Sequence, residues 1–173
     1  MEPQPISVII VSWNVRERLR RCLASLEYEG AADVIVVDNA SSDSSAAMVT
    51  HDFPRVHLIT NTANKGFAVA CNQGIAVAHG RYFLLLNPDT EVHAGSLAAT
   101  VAYVDAHPDV GILGVKTVHA DGRLQKSVLR FPTLASQLLV LLKIQAFTQS
   151  LAPLRSYYAH DFDYTRDADV DQV

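Results

Sequence analysis

The stretch Tyr82-Phe-Leu-Leu-Leu-Asn-Pro-Asp-Thr90 decides the reading of this chain. Its apolar run makes a strand that ends abruptly at an Asn-Pro-Asp turn. In open α/β sheets ligands sit in the crevice beyond the carboxyl ends of the strands, so Asn87 and Asp89 fall where chemistry is expected. Two earlier apolar runs end the same way. Residues 6–11 lead into Ser12-Trp13-Asn14, and residues 34–37 lead into Asp38-Asn39-Ala40-Ser41-Ser42-Asp43. Three polar mouths lining one crevice form the core of the reading.

Between these strands the period changes. Leu19, Cys22, Leu23 and Leu26 recur at helical spacing over residues 16–28, with Gly30 placed to end the helix. A strand at residues 33–38 follows, then a short helix through Met48 and Val49 capped by Ser41, Ser42 or Asp43, then a strand at residues 56–60. Phe67, Cys71, Gly74, Ile75 and Ala78 trace a helix that closes at Gly80. Beyond the strand at residues 82–86, residues 94–106 read as a helix with Leu97, Val101 and Val104 inward, stopped by Pro108. Residues 110–115 then read as a fifth strand. The order βαβαβαβαβ is a doubly wound α/β pattern, and right-handed crossovers bring the strand mouths to one edge. After Lys116 the pattern weakens. Ala120-Asp121-Gly122 is a hairpin turn between two short strands, residues 130–154 are Leu-rich and fit a short helix or a surface loop, and the Asp-rich end has no period.

A chain of 173 residues with 49% hydrophobic content and mean hydropathy +0.13 builds one compact domain. A net charge of −4 without a block of like charges argues against nucleic-acid partners. Cys22 and Cys71 lie in helical stripes without metal-ligand spacing and read as buried reduced thiols, and the scattered histidines give no zinc pattern. The phosphate-loop signature, the Gly-x-Gly-x-x-Gly fingerprint and the Gly-x-Ser-x-Gly elbow are missing, which disfavours nucleotide hydrolases, dehydrogenases and esterases. The amino end lacks the basic region of a secretion signal. The longest apolar stretch, residues 138–144, is interrupted by Lys143 and falls far short of the ~20 residues that span a bilayer. The expectation is a cytoplasmic chain, soluble or peripheral at the inner face of the plasma membrane. For residues 138–154, packing in a core or a homodimer is expected ahead of membrane contact.

A bound diphosphate needs its charge offset, commonly by a divalent cation held by one or two carboxylates plus phosphate oxygens. Asp89 suits that task, Asn87 offers a neutral oxygen, and Pro88 stiffens the turn; a plain turn or helix cap is the competing reading. Asp38, at the end of a buried strand, is placed to accept from a nucleobase imide or a ribose hydroxyl, or else to cap with Ser41, Ser42 and Asp43. Ser12, Trp13 and Asn14 offer backbone groups and an aromatic face, although Trp13 fits equally as packing. Lys65-Gly66 before a helix brings a cation and free N–H groups together.

Taken in order, residues 8–14, residues 36–43, Asn64-Lys-Gly-Phe67 with Asn72 to Gly74, and residues 84–90 resemble the inverting glycosyltransferases of family 2, most closely the rhamnosyltransferase-type branch. The resemblance implies a GT-A fold, a Rossmann-like, mainly parallel sheet with helices on both faces. It also implies a dTDP- or UDP-sugar donor and a glycan or lipid-linked acceptor. It places Ser12, Trp13, Asn14, Asp38, Asn39, Ser41, Asp43, Lys65, Gly66, Asn72, Asn87 and Asp89 in the nucleotide-sugar site, with Asp89 binding Mg or Mn. The first Asp of the family's Asp-x-Asp motif is Asn87 here, leaving Asp89 as the main anionic ligand. Residues 1–127 are expected to form the donor-binding core and residues 128–173 the start of an acceptor-side region. The family's general base follows a Val-Asp-x-Val-like strand that Val170-Asp-Gln-Val173 resembles, so the base is expected beyond Val173 and the fold to be truncated at its carboxyl end. Such a chain is expected to be inactive alone. A noncatalytic nucleotide-binding or interaction module on the same fold is the alternative.

Overall fold

A computed structural model describes residues 5–27, 29 and 33–172. The chain divides into two compact units, Met1–Gly111 and Ile112–Val173.

The first unit is a parallel sheet with helices on both faces. Its strands are β1 (Ile6–Ser12), β2 (Asp33–Asp38), β3 (His57–Thr60) and β4 (Tyr82–Leu86), in spatial order β3-β2-β1-β4. Its helices are α1 (Arg16–Glu27), α2 (Ser45–Asp52), α3 (Phe67–Ile75) and α4 (Ser96–Ala106). The β-branched run of β1 fits the sheet centre, where it pairs with β2 and β4 and is buried along almost its whole length. Alternate residues divide the core. Val8, Ile10 and Val36 pack against Leu19, Cys22, Leu23 and Leu26 of α1, Met48 and Val49 of α2, and Leu97 of α4. On the other face Ile9, Ile35 and Val37 pack against Ala70 of α3.

Two glycines permit close approaches. A Cβ on Gly74 would stand 2.5 Å from Ile9 Cγ2, and one on Gly80 would stand 2.4 Å from the Ser7 backbone nitrogen. Ser7 is fully buried there, donating to the Asp33 carboxylate at 2.9 Å and accepting from the Gly80 N–H at 2.8 Å.

Several expectations change. Residues 110–115 form no strand; Ile112 is 88% and Val115 49% exposed, and an apolar run becomes a strand only where a neighbour completes its ladder. α3 stops at Ile75, so Gly80 serves the contact with β1 and does not cap the helix. Phe67, expected inward, is exposed, and Ala70, Cys71 and Gly74 form the buried side of α3. Leu97 alone of the expected α4 positions is fully buried. Gly30 and Tyr28, the expected end of the first helix, lie outside the described residues.

The second unit carries the expected hairpin, β5 (Thr117–Val118) against β6 (Leu124–Gln125), turning through Gly122 at φ 80°. It also holds α5 (Leu134–Leu141), a short 3-10 turn and α6 (Ala152–Tyr157). Gln172 makes an isolated antiparallel bridge with Leu129; Val173, in the expected strand start, lies outside the described residues. Core packing of residues 138–154 holds in part: Leu154 is fully buried and Leu139 and Val140 are half-buried, whereas Leu138 and Leu141 of α5 are exposed.

Candidate functional site

The carboxyl ends of β2, β1 and β4 lie side by side. The parallel register sets Ser12 level with Asp38 and Ile10 level with Leu86. Neighbouring strands stand about 4.8 Å apart, so Asp38, Ser12 and the Asn87-Pro88-Asp89 turn follow one another along a single edge.

Asp38 is only 3% exposed. One carboxylate oxygen, Oδ2, accepts the Ser41 N–H at 3.0 Å, while Oδ1 is buried without a partner. Ser12, its neighbour in register, is fully buried and its Oγ is also without a partner. Buried polar atoms are almost always hydrogen-bonded, so an orphaned acceptor and an orphaned hydroxyl on adjacent strand ends suit a polar ligand.

The loops above this pair are strained and locked together. Asn14, Ala40 and Ser44 have φ of 54°, 65° and 65°, a left-handed conformation that costs free energy and concentrates at functional sites. The Asn14 N–H donates to Ser41 Oγ at 3.0 Å, and Asn14 Oδ1 accepts the Ser42 N–H at 2.8 Å, tying the β1 mouth to the β2 mouth. Trp13 between them is 56% exposed, so its ring is free to stack and is not core packing.

Asn39 is occupied within the protein. Its amide donates to Asn64 Oδ1 at 2.9 Å and to the Gly66 carbonyl at 3.3 Å, and its Oδ1 accepts the Lys65 N–H at 2.9 Å. It therefore fixes the turn that carries Lys65 and Gly66, both exposed ahead of α3. Asn61 and Gln73 exchange side-chain hydrogen bonds of 2.9 and 3.0 Å beneath that turn, a pair no sequence spacing announces. Asn72 is exposed on α3.

Asp43 caps two helices. Its carboxylate accepts the Arg16 N–H at 2.9 Å and the Ser45 N–H at 3.0 Å, with the Ser45 hydroxyl on the same oxygen as the latter. Burial works against the charged form, but the bonds from Ser45 and from the Arg16 N–H outweigh it and hold the carboxyl below its ordinary range. A group so lowered adds stability that is complete above its unfolded value of 3.8 and fades as pH falls through the folded one. Asp43→Asn should therefore cost about 1–2 kcal/mol at pH 7. In urea unfolding, the gap to the parent chain should narrow below the ordinary aspartate value; a gap that persists unchanged there contradicts the capping role.

Asn87 and Asp89 are exposed at the β4 mouth. The Asn87 carbonyl accepts the Thr90 N–H at 3.1 Å and receives the Cys22 thiol at 3.8 Å, which ties the turn to α1. Burial pushes that thiol up to about 12, helped by the charges of Asp89 and Glu91. Cys22 and Cys71 are both free and buried, as expected. Asp89 Oδ2 lies 3.7 Å from Arg18 Nη1 with both side chains more than half exposed, a surface pair worth little. No sequence spacing announces Arg18, because its partner lies in the turn after β4, far along the chain.

The donor set at this turn is a carboxylate and an amide oxygen, hard ligands that suit Mg or Mn. No group of three or more His, Cys, Asp and Glu able to hold a metal occurs among the described residues, so phosphate oxygens and water would complete the coordination. A cavity of about 310 Å³ near Pro5, Leu97 and Val101 lies at the opposite end of the strands. Its two carboxylates are committed elsewhere, Glu29 to the Gly95 and Leu97 N–H groups and Asp105 to Arg81 and Tyr82. The carboxyl edge remains the candidate site.

Residues 7–162 match the family model described as glycosyl transferase family 2. The chain belongs to that family. It is 30% identical to succinoglycan biosynthesis protein ExoO of Rhizobium meliloti, over 93% of this chain and 46% of ExoO. It is 28% identical to the N-acetylglucosaminyl-diphospho-decaprenol L-rhamnosyltransferase of Mycobacterium tuberculosis, over 75% of this chain and 46% of that protein. The family 2 chain thus spans about half the length of these curated relatives. Among solved structures it resembles the mannosyltransferase PcManGT from Pyrobaculum calidifontis in complex with GDP-Man and Mn2+, with TM-score 0.58 and 22% identity over 82% of this chain and 39% of that one. It also resembles TarS 1-349 of S. aureus in complex with UDP, with TM-score 0.56 and 23% identity over 65% of this chain and 38% of that one. These likenesses establish the GT-A fold for the family 2 chain. Among the described residues no helix is long and apolar enough to cross a membrane.

Proposed function

We propose that this chain supplies the donor-binding part of an inverting glycosyltransferase, which moves a hexose or deoxyhexose such as rhamnose from a dTDP- or UDP-sugar to a cell-surface glycan or lipid-linked acceptor. The observation that carries the reading is the orphaned pair, Asp38 Oδ1 and Ser12 Oγ, buried side by side at the strand mouth. Uracil and thymine present an imide N–H, and a carboxylate oxygen fixed by the Ser41 N–H on its twin is a matched acceptor. Trp13 offers the base an exposed aromatic face. The acceptor class is supported by the names of the relatives, which work in succinoglycan synthesis and on a decaprenyl diphosphate.

Diphosphate charge falls to the two ends of the edge. Lys65 and the turn at Gly66, tied to Asn39 after β2, offer positive charge, and Asp89 with Asn87 at the β4 end would hold Mg or Mn. When bound, such an ion neutralises charge on the nucleoside diphosphate as it departs. Inversion needs a general base for the acceptor hydroxyl. Three of the carboxylates near the chain's end have other partners: Asp161 binds Arg130 at 3.0 Å, Asp163 accepts the Thr165 N–H at 3.0 Å, and Asp171 accepts the Phe131 N–H at 2.9 Å. None is assigned as the base. In this reading residues 1–127 serve the donor and residues 128–173 begin the acceptor side.

Calorimetry with UDP-, dTDP- and CDP-sugars, with and without Mn, tests the proposal. Binding of the uracil and thymine nucleotides over CDP supports it, and folded protein that binds none contradicts it. Asp89→Ala should abolish the Mn-dependent gain, about tenfold in affinity, and leave binding without Mn unchanged. An undiminished Mn effect would move the ion elsewhere.

A further inference from the structure

α5 leaves an apolar face outward as well as an inward one. Ser136 and the half-buried Leu139 and Val140 share its inward side, while Leu134, Leu138 and Leu141, spaced i, i+4 and i+7, form an outer face at 88%, 53% and 79% exposure. Leu142 at the helix end is 59% exposed, and Phe131 and Phe147 on either side in sequence are 67% and 90% exposed. Thr133 and Ser136 close a capping box that fixes the start of the helix. A contiguous exposed apolar face of this kind marks an interaction surface.

The surrounding charge identifies the partner. From Gly122 to His160 the sequence holds no Asp or Glu, although the chain carries 18 of them and a net charge of −4. Lys126, Lys143 and Arg155 in this stretch are exposed and make no salt bridge among the described residues. Lys143 follows directly on Leu141-Leu142 with φ 57°, so a cation on a long apolar stem stands at the end of the leucine face. A second copy of the chain would bring the same cations, Lys126 and Lys143 with no salt-bridge partner among the described residues, against each other across a two-fold interface. An anionic surface offers the opposite charge, and leucines beside lysine and arginine suit an interfacial helix.

We propose that the leucine face of α5, with Lys126, Lys143 and Arg155, docks the protein on an anionic phospholipid bilayer. This goes beyond the donor-binding reading and does not depend on it. The helix lies along the headgroup layer without crossing it.

The test is co-sedimentation of the full chain with vesicles of phosphatidylglycerol and phosphatidylcholine, set against vesicles of phosphatidylcholine alone. Partitioning should favour the anionic vesicles and fall with added salt. Replacing Leu134, Leu138 and Leu141 together by Ser should lower it about tenfold or more while the circular dichroism spectrum and the unfolding midpoint stay unchanged. Lys143→Ala, which no packing constrains, should lower it about fivefold. No binding, equal binding to phosphatidylcholine, or binding indifferent to both variants overturns the proposal. So does a concentration-dependent dimer that the leucine variant dissociates, or unfolding of that variant, which would show the face to be core.

Discussion

Asp38→Asn should weaken UDP and dTDP binding by about a hundredfold or more while leaving the fold intact. In the parent chain the Ser41 N–H holds Oδ2, and Oδ1 is buried without a partner at the end of β2, in a residue 3% exposed. Asn must keep its single oxygen on Ser41, so its NH2 turns to where the base presents an N–H. The change removes a charge-assisted hydrogen bond, worth about 1.5–3 kcal/mol, and sets two donors against each other. Together these give roughly 3–4 kcal/mol, which is a factor of a hundred to a thousand. Stability should hold or rise, because a neutral isostere replaces a buried carboxylate that no cation pairs. Calorimetry and urea unfolding on the same samples separate the two effects. Binding within about threefold of the parent would remove Asp38 from the base site.

Gly80→Ala carries the largest expected effect on stability, about 3–5 kcal/mol. The added Cβ would stand 2.4 Å from the Ser7 nitrogen and 2.6 Å from the Ile6 carbonyl carbon, and both are backbone of the central strand. Neither can move without breaking the register of β1 with β4 and with β2. Gly74→Ala should be milder, since its Cβ meets the Ile9 side chain, nearest at Cγ2, and not backbone. Gly111→Ala, with nothing within 4 Å, is the control and should be neutral or slightly stabilising. Denaturant unfolding measures all three. Equal stability of the Gly80 and Gly111 variants would mean that the chain entering β4 does not lie against β1.

The strands that carry the site were legible from their composition: β1 and β2 are buried on both faces, and β4 is apolar throughout although Phe83 and Leu85 are about half exposed. These apolar runs have no helical period, and each stops at a polar residue that the structure puts on the common edge. The run at residues 110–115 is also apolar but holds Gly111 and Gly114, residues that weaken a strand, and it forms none; its apolar pattern does not reveal whether a neighbour is there to complete the ladder. The helical period of α5 shows which residues share a face but not which face turns inward; there Ser136 does, with Leu139 and Val140 half-buried beside it.

At the site, residue type pointed to Asp38 and to the loops around it, but long-range partners sorted their roles. Asp43 and Asn39 look alike in sequence as polar residues after β2. One spends its carboxylate on the starts of α1 and α2, and the other spends its amide on the turn at Lys65 and Gly66. The pairing of Asp89 with Arg18 joins positions far apart in the chain and leaves no local pattern. Such partners become visible only once the sheet has brought the strand ends together.

The most direct measurement is a titration of the isotopically labelled chain with UDP, followed residue by residue through the backbone amide resonances. The account predicts that the perturbed amides cluster at Ser12 to Asn14, at Asp38 to Asp43, and at Lys65 and Gly66, with those of Asn87 and Asp89 broadened when paramagnetic Mn is added. Perturbations centred instead on the opposite ends of the strands, around Ile6, Leu97 and Val101, with the carboxyl edge silent, would contradict it.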